Sequence, residues 1–181
     1  RVDRRQRQMC IRDRYRASET DNIEAMNNLI EWLPKNIPND NATSIVHGDF
    51  RLDNMIYKNN EVIGVLDWEL STLGHPVADF SYHCLTWRTE PIFYDYPKLK
   101  ELGVPNEIEY RDMYSEATGQ DLSENWEYYM AFNIFKVAAI CQGILGRVRD
   151  GTAANKHAEE RGMKVYPLSE GAWSIVENNF K

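Results

Sequence analysis

Residues 46–79 read VHGDFRLDNMIYKNNEVIGVLDWELSTLGHPVAD, and their pattern decides the fold. Two short runs, Met55-Ile56-Tyr57 and Val62-Ile63-Gly64-Val65-Leu66, are apolar and rich in β-branched residues. The polar Lys58-Asn59-Asn60-Glu61 lies between them, so the pattern predicts a β-hairpin with a loop of about four residues. Folding the chain back at that turn brings Asn54 and Asp67 to the same open end. Asp49 sits in the loop just before the first strand, after a Gly48 that lets the backbone bend and leaves room for a substrate. Three oxygen-bearing side chains therefore converge where two strands open. Hard oxygen ligands suit Mg²⁺, which takes one or two carboxylates together with phosphate oxygens. Zinc would call for more nitrogen or sulfur.

Outward from this stretch the periodicity turns helical. Ile23, Met26, Leu29, Ile30 and Leu33 predict a helix over residues 18 to 33, capped by Ser18 with Asp21 and ended by Pro34 and Pro38. Ser44 to Val46 is a short extended run. Beyond Pro76 a helix passes through Val77, Phe80, Ser81 and Cys84. Residues 90 to 106 hold three prolines and read mostly as loop. Residues 107 to 118 form a short helix ended by Gly119. The longest helix spans 123 to 149, with Ser123 as cap and Glu124 and Glu127 suited to its positive end. A last helix covers roughly residues 155 to 178, weakened by Pro167. The fold class is α+β, mainly helical, with the hairpin near its start.

The chain has 181 residues, enough for a domain with a core, and a formal charge of −7. That balance speaks against general nucleic-acid or anionic-membrane binding, while metal ions and a local basic cluster can still admit a nucleotide. The three cysteines, Cys10, Cys84 and Cys141, form no CxxC pair and fit a reducing cytoplasm. The most apolar stretch, MAFNIFKVAAICQGIL, is interrupted by Asn133, Lys136 and Gln142, which argues against a membrane span. The basic N-terminus has no apolar core and does not read as a secretory signal. Its RQRQMCIRDR segment resembles a translated sequencing adapter, so residues 1 to 14 are set apart from a folded region over 15–181.

HGDFRLDN is similar to the HxDxxxxN catalytic loop of the aminoglycoside/choline phosphotransferase family. LDWE looks like that family's metal-binding segment, and GHPVAD resembles its GxPxxD element. The runs RASETDNIEAMNNLIEWLPKNIP, LDWELSTLGHP and FKVAAICQGILGR resemble one branch, the kinase-like domain found alone in bacteria or fused ahead of some acyl-CoA dehydrogenases. The resemblance covers about residues 15 to 180. It implies the C-terminal lobe of a protein-kinase-like fold and a phosphoryl transfer from Mg-ATP to a small-molecule hydroxyl. In that chemistry Asp49 accepts the hydroxyl proton, Asn54 and Asp67 hold Mg²⁺, and Glu69 assists the metal directly or through water. His47 braces the catalytic loop, and Asp79 anchors it from the next helix. Arg51 is either a phosphate or substrate contact or a surface ion pair. The implied acceptors are a hydroxyacyl-CoA or a related hydroxy acid. The helices after residue 90 would shape the acceptor pocket, with Trp87, Phe93, Tyr94 and Tyr96 either lining it or packing. Trp68 and Trp87 are expected in the core.

Residues 1 to 46 hold no Gly-rich loop and no strand-borne Lys, so the N-terminal nucleotide lobe of a whole kinase is expected to be missing and the chain alone to transfer phosphate poorly or not at all. Two other readings compete. A metal-dependent hydrolase could use His47, Asp49, Asp67 and His75, with His75, Asp79 and His83 at helical spacing. A non-catalytic kinase-like binding module could keep the fold for contacts alone.

Overall fold

The computed structural model describes residues 4–39, 42–93, 101–122 and 124–180. Its elements in chain order are α1 (Arg4–Ser18), α2 (Glu24–Trp32), β1 (Ser44–Val46), β2 (Met55–Lys58), β3 (Glu61–Val65), β4 (Thr72–Gly74), α3 (Pro76–His83), α4 (Leu85–Phe93), α5 (Glu107–Thr118), α6 (Trp126–Arg149), α7 (Ala158–Met163) and α8 (Val165–Asn179). They form two compact units, Arg1–Asn39 with Met130–Lys181, and Asp40–Tyr129.

In the first unit α2 packs on α8. Helix α2 buries Ala25, Met26 and Leu29, and α8 buries Val165, Leu168, Ala172 and Val176, the one-sided spacing of core-facing helices. The helix expected over 18 to 33 is in fact two elements. Ser18 ends α1, where its hydroxyl donates back to the carbonyls of Arg14 (3.0 Å) and Tyr15 (3.2 Å). A hydroxyl engaged that way closes a helix rather than capping the next one. Asp21 instead accepts the phenol proton of Tyr166, and α2 starts after Ile23 without a side-chain cap. The buried Gln142 of α6 donates to the Ser18 carbonyl (2.7 Å) and to Thr20 Oγ1 (3.0 Å), which explains one polar interruption of that apolar helix. Helix α6 is long and apolar enough to cross a membrane by composition, yet 67% of its most apolar window is buried, as in a core helix. The expected final helix is broken at Lys164 into α7 and α8. Pro167 falls in the first turn of α8, where a missing N–H removes no helical bond. Of the residues set apart above, 4 to 14 supply most of α1.

The second unit carries the hairpin. Strands β2 and β3 pair antiparallel, Met55 opposite Val65 and Lys58 opposite Glu61. Only Asn59 and Asn60 form the loop, both with positive φ (52° and 64°). That is the two-residue turn whose twist matches the strands, tighter than the four residues expected. A second pair, β1 with β4, joins Ser44 to Gly74 and Val46 to Thr72. Its close seam explains Gly74, where a Cβ would lie 2.9 Å from Val46 Cγ2. Helix α5 begins with a reciprocal capping box between Asn106 and Glu109 and ends at Gly119 in the left-handed region (φ 69°). Helix α4 runs to Phe93, so residues 90–93, expected as loop, are helical. Tyr94, Tyr96 and the expected cap Ser123 lie outside the described residues.

Aromatic rings hold these helices together. Phe80 of α3 stacks on Tyr114 (3.8 Å between centroids) and meets Tyr110 at 5.2 Å and Trp126 at 5.6 Å. Trp87 lies against Tyr110 and donates to the Pro105 carbonyl (3.2 Å). Arg88 of α4 bridges Glu107 of α5 and Glu127 of α6, and Trp126 Nε1 donates to Glu107 (2.8 Å). A charge network this sheltered needs every partner, because any member left alone is a poorly solvated ion.

Candidate active site

The HGDFRLDN loop is held from both sides. Upstream, the Asp79 carboxylate on α3 accepts the backbone N–H of His47 and, at 2.8 Å, that of Gly48. Gly48 has φ +87°, and a Cβ there would sit 2.6 Å from the Leu70 carbonyl oxygen. Only glycine fits that approach. His47 is buried. Its Nδ1 accepts the Asp49 N–H (3.2 Å), and its Nε2 faces the Leu66 carbonyl at 2.7 Å. With Nδ1 accepting and a carbonyl facing Nε2, the donor hydrogen of the ring belongs on Nε2. The ring also meets Trp68 at 4.8 Å.

Downstream, Asn54 is buried, and its Nδ2 donates to the Asp49 carbonyl (2.9 Å) and to Asp49 Oδ2 (3.1 Å). The amide nitrogen is thereby turned toward Asp49, leaving Oδ1 as the oxygen Asn54 can offer a cation. The Asn54 carbonyl accepts the Leu66 N–H at 2.8 Å. Leu66 is therefore pinned to Asn54 through its N–H and to His47 through its carbonyl, which fixes the backbone next to Asp67. Asp67 is exposed and left-handed (φ 64°, ψ 54°), a conformation Asp tolerates better than most residues.

Asp49 and Asn54 are thus in direct contact, and Asp67 is tied to them through its neighbour's backbone. Arg51 Nε lies 3.3 Å from Asp49 Oδ2, and its guanidinium reaches Asp53 at 3.8 Å. At half exposure such pairs contribute little stability. Glu69 is exposed on the 3₁₀ turn Trp68–Leu70, and among the described residues no hydrogen bond or ion pair joins it to Asp49, Asn54 or Asp67. His75 stands at the N-terminus of α3. Its Nδ1 caps α3 by accepting the Val77 N–H (3.2 Å), and its ring stacks on Tyr129. Trp68, expected in the core, is half exposed because its indole N–H is spent on the Val65 carbonyl (2.8 Å) at the hairpin's edge. Trp87 is partly buried.

Among the described residues no three His, Cys, Asp or Glu side chains gather closely enough to enclose a metal ion. One carboxylate and one amide oxygen are a poor zinc cage but a sufficient protein share for Mg²⁺, whose remaining positions go to water and phosphate. The donor set fits that ion.

A profile of the phosphotransferase enzyme family matches residues 2–132. The chain is 44% identical over 169 residues to mouse acyl-CoA dehydrogenase family member 10, covering 90% of this chain and 16% of that protein. It is 36% identical to human acyl-CoA dehydrogenase family member 11, covering 92% of this chain and 22% of that one. Probable acyl-CoA dehydrogenase IBR3 of Arabidopsis thaliana is also 36% identical, over 82% of this chain and 20% of that protein. The chain therefore spans less than a quarter of the length of these curated relatives. A solved structure from Ralstonia eutropha JMP134, assigned as an aminoglycoside phosphotransferase, superposes with a TM-score of 0.86 at 43% identity, over 96% of this chain and 55% of that one. With a mainly helical, hairpin-bearing fold that matches an aminoglycoside phosphotransferase closely, and a family profile matching from residue 2 to residue 132, the chain belongs to the phosphotransferase enzyme family.

Proposed function

We propose that the chain is the catalytic-loop portion, the C-terminal lobe, of an ATP- and Mg²⁺-dependent kinase that phosphorylates a small-molecule hydroxyl, a hydroxyacyl-CoA or a related hydroxy acid. The observation that carries this reading is the contact between Asn54 and Asp49. One amide orients the carboxylate with its nitrogen and keeps its oxygen for a cation, which couples the base to the metal side of the site.

In this reading Asp49 accepts the proton of the acceptor hydroxyl as its oxygen attacks the γ-phosphorus and the bond to the ADP oxygen breaks. Asn54 Oδ1 and the Asp67 carboxylate would hold the cation, and Glu69 would assist it directly or through water. The ion, when bound, neutralises charge on the phosphates. His47 and Asp79 keep the loop in register. The acyl-CoA class of acceptor is supported by the relatives' names and by a site that needs nothing more than a hydroxyl. Parent proteins of this kind would carry an acyl-CoA dehydrogenase in the same chain or as an associate. The free thiols Cys10, Cys84 and Cys141 suit a cytoplasmic setting.

The hydrolase reading is disfavoured because His75 Nδ1 caps α3, and among the described residues no three His, Cys, Asp or Glu side chains gather to hold a metal. The test, made on a parent protein that carries both lobes, is calorimetric titration of ATP with and without Mg²⁺, followed by ATP consumption against hydroxy acids, their CoA esters, choline and aminoglycosides. Mg²⁺-dependent ATP binding that disappears in Asp67→Asn supports the reading. ATP binding indifferent to both Mg²⁺ and Asp67 refutes it.

A further inference from the structure

Helix α3 turns two side chains, one helical turn apart, toward the loop that carries Asp49. Asp79 takes the amides of His47 and Gly48. His83 lies against Phe50, the residue after Asp49, with ring centroids 5.4 Å apart, and meets Tyr110 at 5.8 Å. Phe50 is itself 6.2 Å from the His47 ring. His83 Nδ1 is buried without a hydrogen-bond partner. Burial pushes the imidazole below its ordinary value, and the Phe50 backbone opposes that fall, as a carbonyl facing a ring N–H does. A residue kept only for packing would be apolar, because an unpaired buried nitrogen costs free energy that a ring of carbon does not. The cost is offset only if the other nitrogen makes a useful bond.

We propose that His83 is a positioning residue: its Nε2–H faces the Phe50 carbonyl, so that α3 grips the loop on both sides of Asp49. The carboxylate then sits between two fixed backbone segments, residues 47–48 and residue 50. The grip rests on the ring contact between His83 and Phe50 and on the unpartnered Nδ1. Its catalytic consequence rests on Asp49 being the base.

Two measurements on the full chain test the grip. Long-range ¹H–¹⁵N correlation should show His83 as a single Nε2–H tautomer with an unprotonated Nδ1. Amide hydrogen exchange at residues 49–51 should rise about fivefold in His83→Leu, the scale of one hydrogen bond, and return to within about twofold in His83→Gln, whose amide reaches the same carbonyl. Exchange in α8 serves as the control and should not change. An Nδ1–H tautomer overturns the proposal, as does unchanged loop exchange in the leucine variant or a glutamine variant no better than leucine. Should the leucine variant unfold, the tautomer of the unsubstituted chain decides alone. Failure of the kinase reading would appear instead as nucleotide binding indifferent to Mg²⁺, with the exchange pattern intact.

Discussion

The amide nitrogen of Asn54 serves two oxygens of one residue, the carbonyl and the carboxylate of Asp49, at 2.9 and 3.1 Å. Asn54→Asp would replace that donor with a second carboxylate at contact distance. Like charges so close cannot both ionise comfortably, so the variant should bind Mg-ATP at least about tenfold more weakly. Asn54→Ala, which removes both the donor and the ligand oxygen, should weaken it too. Calorimetric titration of both variants checks this, and wild-type affinity in Asn54→Asp would remove the pair from the site.

Asp49→Asn is nearly isosteric and keeps an oxygen for the Asn54 amide. Folding, read as the thermal midpoint, should be little changed. In a parent protein that carries both lobes, phosphotransfer should fall by at least about a hundredfold, since each ~1.4 kcal/mol of lost transition-state stabilisation is a factor of ten. An unchanged turnover, measured by coupled ADP release, takes Asp49 out of its role.

Gly48→Ala places a methyl 2.6 Å from the Leu70 carbonyl oxygen at a φ of +87°. Strain and overlap together should cost about 2–3 kcal/mol in a urea melt. The loss should be larger than for Gly103→Ala, where a Cβ meets nothing within 4 Å.

Arg88 is paired with Glu107 and Glu127 at 30% side-chain exposure, with Glu107 at 13%. Arg88→Met would strand both carboxylates. Discounted for the solvent that still reaches the arginine, the loss should be about 2–3 kcal/mol in a denaturant melt. The same network predicts a pH dependence. Burial acts to raise the Glu107 carboxyl, but hydrogen bonds from Arg88 and Trp126 outweigh it and hold the group below its ordinary value of 4.5. A depressed folded-state value means this stabilisation is complete above pH 4.5 and fades as pH falls below it. Thermal midpoints followed from pH 7 down to pH 3 should therefore drop less steeply in Glu107→Gln than in the parent chain.

Much of the site's layout is legible in the sequence because it is local. The hairpin, its polar turn and the loop before it lie within residues 46–67, and strand alternation with turn chemistry reads over such distances. Helix α5 is legible for the same reason, bounded as it is by Asn106 and Gly119. What resists reading is long-range. Strand β4 is three residues long and has meaning only through β1, some 28 positions upstream. The arginine of α4 gives no sign in sequence that two glutamates, one in α5 and one in α6, will meet it. The break after Ser18 is hidden because apolar residues resume at helical spacing beyond it, while the hydroxyl that ends α1 looks from sequence like a cap for α2. Trp68 misleads for a different reason. Its size suggests burial, yet its indole is committed to a local carbonyl, which leaves half of it in solvent.

The left-handed backbone at Asp67 limits which residues could ever stand there. For the cation-holding role proposed above, chemistry alone would accept glutamate as readily as aspartate, since either brings an oxygen to a hard cation. Torsion angles alone would accept glycine or asparagine. Aspartate is where those two sets overlap with a full negative charge. Drift at this position is therefore nearly closed, and an insertion that relaxed the turn after β3 would widen the choice only by moving the carboxylate itself.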